Sequence, residues 1–233
     1  MWRLCLVLFL TLICPWAEAK DKLLFIGNSY TAQWGIARQV EALLGATITE
    51  AIDISRFNVT LDWHLREGEA LAWIGRGDWA VVILQDYSDT ALRPEKAAIS
   101  RFAIDRLAEA ARAEGAEIVF FAHWTPAGTP KEEEELHRAQ IQAYYKAAAR
   151  RHQGRVAPVG LAWAKADTLL LRHPDQHHAN ALGASLAAIT LAMALAPLLE
   201  APLEPPAVPP DAIPASQFEA MWQAAQEAVF ETQ

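Results

Sequence analysis

Trp79-Ala80-Val81-Val82-Ile83-Leu84 is the stretch that decides the fold class. Six apolar residues in a row are too few for an ordinary helix, and they lack the in–out alternation of a half-exposed strand. A continuous apolar strand is what a parallel sheet covered on both faces requires. The same pattern recurs on either side: Leu23-Leu24-Phe25-Ile26 and Thr47 to Ile54 upstream, Glu117 to Ala122 and the short Val156 to Val159 downstream. Between these runs, apolar residues at helical spacing predict helices from about Trp34 to Leu44, Leu65 to Ile74, Glu95 to Glu114, Lys131 to His152 and Leu182 to Leu199. Gly115 stands where a glycine commonly ends a helix, and Glu132 to Glu135 put negative charge at the positive end of the next helix dipole. Strands alternating with helices predict an α/β protein, a three-layer α/β/α sandwich with a mostly parallel, flavodoxin-like sheet.

The chain has 233 residues, 53% of them hydrophobic and 21% charged, which suits one domain with a full core and argues against disorder. The formal net charge of -8 works against binding to phosphate backbones, and equally against docking on anionic lipid by charge alone. Met1-Trp2-Arg3, the apolar run Leu4 to Cys14, Pro15 and the small residues of Ala17-Glu18-Ala19 predict a cleavable signal peptide over 1–19, and hence export to a periplasm or the outside. The run is too short for a permanent anchor, which needs about 20 residues. A bulky Ile13 before Cys14 argues against lipidation. Both cysteines, Cys5 and Cys14, fall inside that segment, so a mature protein would have neither disulfides nor thiolate chemistry. The expected domain spans 20–200. Residues 201–233 would add a proline-rich connector and a terminal helix whose stripe, Phe218, Met221, Trp222, Ala225 and Val229, packs back on the domain.

Two short segments carry the chemistry. Gly27-Asn28-Ser29 follows the first strand directly, so Ser29 stands at the C-terminal edge of the sheet, where ligands bind in open α/β folds. A serine there is either a nucleophile or the cap of the next helix. Asp175-Gln176-His177-His178-Ala179-Asn180-Ala181-Leu182-Gly183 is the second segment. An Asp and a His on one tight turn can place carboxylate against imidazole, fixing its tautomer and stabilising the imidazolium. Alternatively, His173, His177, His178 and Asp175 are the residue types of a metal site. The remaining histidines, His64, His123, His137 and His152, lack any zinc-ligand spacing.

Together these segments resemble the first and last blocks of the SGNH (GDSL-like) hydrolases. Asn28 stands in place of the family's Asp, and Gly183 lies five residues after His178, the register that selects His178 over His177. The resemblance runs from about Leu23 to Leu195. It implies a serine esterase with Ser29 as nucleophile, His178 as base and Asp175 as its partner, needing neither metal nor organic cofactor. The oxyanion hole would use the backbone N–H of Ser29, with Asn58 at the family's glycine position. Gln85 or Ser88 would replace the side-chain amide of its Gly-x-Asn motif. The bland reading of Gln85-Asp86-Tyr87-Ser88-Asp89 is a polar turn after a strand. Gly-Asn-Ser, the Leu84-Gln85 pair and Ala157-Pro158-Val159-Gly160-Leu161-Ala162-Trp163 are similar to a divergent branch of the superfamily.

An exported esterase of this kind points to small-molecule or polysaccharide esters, O-acetyl esters among them. The rivals are a non-catalytic glycan-binding protein on the same fold and a lipolytic esterase or thioesterase. His123-Trp124-Thr125 ends another strand, so Trp124 is either a pocket wall or a packed core residue. Trp34, Trp63 and Trp79 also lie near strand ends or loops, as a carbohydrate site requires.

Overall fold

The structure is a computed structural model in which residues 21–206 and 213–233 are described. The segment 1–19 expected to be a signal peptide lies outside them. Five strands, β1 (Lys22–Ile26), β2 (Glu50–Asp53), β3 (Trp79–Leu84), β4 (Glu117–Phe121) and β5 (Arg155–Ala157), pair in the order β2-β1-β3-β4-β5. Every pairing is parallel. This is the flavodoxin-like order, whose switch point between β1 and β3 is the ligand-binding crevice of such sheets.

Helices cover both faces: α1 (Ser29–Ala32), α2 (Ile36–Leu44), α3 (Leu61–Glu67), α4 (Glu69–Ile74), α5 (Pro94–Ala113), α6 (Glu134–His152), α7 (Val159–Lys165), α8 (Ala181–Leu195) and α9 (Ala215–Phe230). Alternate residues of each strand face opposite ways, and the core divides accordingly. Leu23, Phe25, Val81, Ile83, Val119 and Phe121 pack under α2, α7, α8 and α9. Leu24, Val82, Leu84, Ile118 and Phe120 pack under α3 to α6. The helix α8 is apolar on almost every side because α2, α7, α9 and the sheet surround it. Phe218, Met221, Ala224, Ala225 and Ala228 of α9 join the same core, while Trp222 is only half-buried.

Several element boundaries differ from the sequence reading, among them the shorter strand β2, which starts at Glu50 rather than Thr47, and α8, which ends at Leu195. Trp34 lies outside α2, because it and Gly35 both adopt left-handed backbone, with φ of 65° and 61°. The helix expected from Leu65 is two helices starting at Leu61, broken at Gly68 with φ 75°. Val159 begins α7 rather than ending a strand, since Pro158 supplies no N–H to a sheet ladder and leads into the helix.

Candidate active site

Ser29 is the first residue of α1, directly beyond the end of β1, and is 8% exposed. Its turn is fixed from below. Asn28 caps α1 by accepting the N–H of Tyr30 at 3.0 Å, while its Nδ2 donates to the carbonyl of Asp86 at 3.2 Å. An aspartate here would lack that donor, which gives a physical reason for asparagine. The N–H of Asn28 and the hydroxyl of Thr31 both donate to Oε1 of Gln85 at 3.0 Å, and Gln85 Nε2 donates to the carbonyl of Asp86. Gly27 permits this approach: a Cβ there would lie 2.6 Å from Thr31 Oγ1 and 2.8 Å from Gln85 Oε1.

The second segment is a closed turn ahead of α8. Arg172 and Ala179 form an antiparallel bridge, and the N–H of His173 donates to the carbonyl of His178 at 2.9 Å. Pro174 and Gln176, the latter at φ 60°, shape the bend between them. Asp175 Oδ1 accepts the backbone N–H groups of His177 and His178, both at 2.9 Å. Its other oxygen is 2.8 Å from His178 Nδ1 and 3.3 Å from His173 Nδ1. Desolvation works to raise the Asp175 carboxyl, but the hydrogen bonds from the His178 ring and the two N–H groups outweigh it and hold it well below the usual carboxylate range. Gly183 lets α8 start under this turn, since a Cβ would lie 2.3 Å from the Leu171 carbonyl and 2.7 Å from the Trp163 ring.

His178 Nε2 is 2.9 Å from Ser29 Oγ. Ser29, His178 and Asp175 therefore form one hydrogen-bonded line, able to take a proton from the hydroxyl and hold the resulting imidazolium beside a carboxylate.

His177 is turned elsewhere: its Nδ1 is 3.3 Å from the Tyr30 hydroxyl. Burial holds the Tyr30 phenol protonated, far above its ordinary range. Burial and then the neighbouring His178 lower His177's own proton affinity. Among the described residues no group of three or more His, Cys, Asp or Glu side chains is arranged to hold a metal.

Behind the turn stands an aromatic stack. Trp124 lies between Tyr30, at 4.3 Å and 19°, and Trp163, at 4.1 Å and 5°. Its indole N–H donates to the His177 carbonyl at 3.1 Å. Both faces of Trp124 are covered, so the packed reading replaces that of a pocket wall. Trp79 is equally buried, with its N–H on the Trp73 carbonyl at 2.7 Å. Trp34 alone of the tryptophans singled out is largely exposed, and its N–H donates to the Ala179 carbonyl at 2.9 Å, beside His178.

A cleft of about 230 Å³ opens over Ser29, lined by Asn28, Tyr30, Phe57, Asn58, Tyr87, Ser88, His177 and His178. Asn58 has φ 59°, a conformation that glycine adopts freely and that asparagine tolerates better than most residues. Its Oδ1 accepts the Tyr87 hydroxyl at 2.8 Å. Ser88 lines the cleft too. Gln85 does not: its amide is spent on Asn28, Thr31 and Asp86 beneath the turn, which corrects its assignment as an oxyanion donor. His64, buried on α3, donates its Nε2–H to the Gly27 carbonyl at 2.8 Å. Burial lowers its proton affinity. Nothing in the sequence marks His64 or Asp86 as buried, since each stands among other polar residues, Asp62 to Glu67 and Gln85 to Asp89.

No family profile matches the chain, and no curated protein sequence does. Solved structures do match. A candidate SGNH hydrolase from Slackia heliotrinireducens superposes with a TM-score of 0.62 at 24% identity, covering 75% of this chain and 98% of that one. The chain has the fold of the SGNH hydrolases. A DUF4886 family protein from Bacteroides uniformis gives 0.69 at 18% identity, over 90% and 95% of the two chains. The acetylxylan esterase Axe2 of Geobacillus stearothermophilus, as a catalytic mutant, gives 0.59 at 14% identity, over 79% and 96%.

Proposed function

We propose that the protein is a serine esterase, exported by its N-terminal segment, that cleaves short-chain carboxylic esters, O-acetyl esters of saccharides among them. One observation carries this reading: the hydrogen-bonded line from Ser29 Oγ through His178 to Asp175. Ser29 Oγ attacks the ester carbonyl carbon as His178 Nε2 takes its proton. The carbonyl oxygen becomes an oxyanion, held by the Ser29 N–H with donors from Asn58 and Ser88. The C–O bond to the alcohol then breaks, and His178 returns the proton to the departing oxygen. Water, deprotonated by His178, attacks the acyl-enzyme; the acid leaves and Ser29 regains its proton.

The cleft volume of about 230 Å³ suits an acetyl or similarly short acyl group. A lipolytic or thioesterase reading has its own support. A largely apolar groove of about 940 Å³ starts at Trp34 and runs along α2 and α8 past Leu43, Leu182 and Ile189. Purified protein assayed on acetyl, butyryl and long-chain esters separates the two. Falling turnover with chain length supports the short-acyl reading, rising turnover the lipolytic one, and none with any ester that Ser29→Ala abolishes removes both.

A further inference from the structure

Beneath the cleft wall that faces His178 lies a carboxylate that takes no part in proton transfer. Asp86, two residues past β3, is fully buried. Its Oδ1 accepts the backbone N–H groups of Leu61 at 3.1 Å and Tyr87 at 2.7 Å. Its Oδ2 accepts the hydroxyl of Ser100 on α5, which also meets the Tyr144 hydroxyl on α6. The Asp86 N–H donates to the Tyr145 phenol at 2.9 Å, and its carbonyl accepts Asn28 Nδ2 at 3.2 Å. Burial pushes the carboxyl above its ordinary range. For stability alone, a well-packed apolar side chain commonly serves as well as a buried charged group or better. A carboxylate in this place therefore asks for another reason.

The positions of its partners supply one. Leu61 follows the segment that brings Phe57 and Asn58 to the cleft, and Tyr87 leads directly into Ser88. These are the two segments of the wall opposite His178. They touch at the rim through the Tyr87 hydroxyl on Asn58 Oδ1, and at the base both hang on the same oxygen of Asp86. We infer that Asp86 is the positioning residue of the oxyanion wall: it sets the spacing of the Asn58 and Ser88 segments, so that their donors meet the oxygen of the tetrahedral intermediate at Ser29. The inference rests on the esterase reading. It concerns transition-state geometry, where a misplacement of about 1 Å can cost roughly 10²-fold in rate.

The test compares wild type, Asp86→Ala and Asp86→Asn in hydrolysis of 4-nitrophenyl acetate, well below each variant's melting temperature. Asp86→Ala should lower kcat about 10²-fold while KM moves less than about threefold, because an interaction made chiefly in the transition state is weakened. Asn can accept both N–H groups through its oxygen and donate to Ser100, so Asp86→Asn should recover to within about tenfold of wild type. Equal melting losses in both variants with kcat per folded molecule unchanged would mark Asp86 as a fold-holding residue and overturn the inference. Should Asp86→Ala fail to fold, Ser100→Ala releases one carboxylate oxygen: a fall in kcat of about tenfold at steady KM supports the inference, and an unchanged kcat removes it. A wild type without esterase activity removes the esterase reading itself, whereas an active wild type with a fully active Asp86→Ala removes only the role of Asp86.

Discussion

The turn that carries His178 holds itself together between Arg172 and Ala179, through one backbone bridge and the two N–H groups that Asp175 gathers. That turn closes locally even though the Trp34 and Trp124 indoles also brace it. In the wall facing it, by contrast, Asn58, Tyr87 and Ser88 are joined through Asp86 to Leu61, Ser100 and Tyr145, on three different helices. A motif closed within one turn can be read from residue spacing. A wall assembled from distant segments cannot, because nothing in the local pattern says which polar residue meets which. The comparison also divides the expected consequences of mutation. Changes in the turn should strike proton transfer, and changes in the opposite wall should strike stabilisation of the oxyanion.

The largest effects belong to the proton-transfer line. Ser29→Ala and His178→Ala should each lower kcat on short esters by on the order of 10⁵–10⁶, with Asp175→Asn costing about 10⁴. Ser29→Ala removes one oxygen and leaves little void, so its melting temperature should stay near that of wild type. His177→Ala should cost less than about tenfold in steady-state kinetics, because its ring faces Tyr30 rather than Ser29. The reverse order of the two histidines would break the account of the turn.

The opposite wall predicts a different signature. Ser88→Ala should lower kcat by about 10² at nearly unchanged melting temperature, as expected for one lost oxyanion donor. Gln85→Ala should do the opposite. It leaves the Asn28 N–H and Thr31 hydroxyl without their buried acceptor, a loss of about 1–3 kcal/mol for each unsatisfied group, while kcat per folded molecule changes little. Thermal unfolding beside active-site-titrated kinetics separates them.

A separate effect appears in stability against pH, at a buried residue beside Tyr30 and Trp124. His123 is fully buried, with Nδ1–H donating to the Trp124 carbonyl at 2.8 Å, and burial lowers its pKa to about 4. The unfolded chain binds this proton near pH 6.5 and the folded one only near 4, so its contribution is whole above 6.5 and is lost as pH falls to 4. The loss amounts to about 3 kcal/mol in unfolding free energy, and His123→Gln should remove that part of the pH dependence. Denaturant titrations at pH 7 and pH 4 measure it.

How far the sequence was legible follows the same division. The unalternating strands β1, β3 and β4 fix the layered fold because burial on both faces leaves a plain record in composition. Ser29 and the Asp175–His178 spacing were legible because each lies within one turn of chain. Gln85 was misread because length and polarity suggest reach into a cleft, whereas Gly27 brings the turn so close that the amide is consumed beneath it. Trp124 lies at the active edge yet is stacked on both faces, and no local pattern distinguishes that from an exposed aromatic.

Covalent labelling tests the central claim most directly. A short alkyl fluorophosphonate offers phosphorus where an ester offers carbon: an activated Ser29 oxygen displaces fluoride and keeps the phosphonyl group. Intact-mass and peptide analysis should show one added phosphonyl group, on the peptide holding Ser29, with esterase turnover lost in step with labelling. His178→Ala should label far more slowly and Ser29→Ala not at all. A protein that hydrolyses esters while Ser29 stays unlabelled, or that loses turnover through a label on another residue, would contradict the assignment of Ser29 as nucleophile.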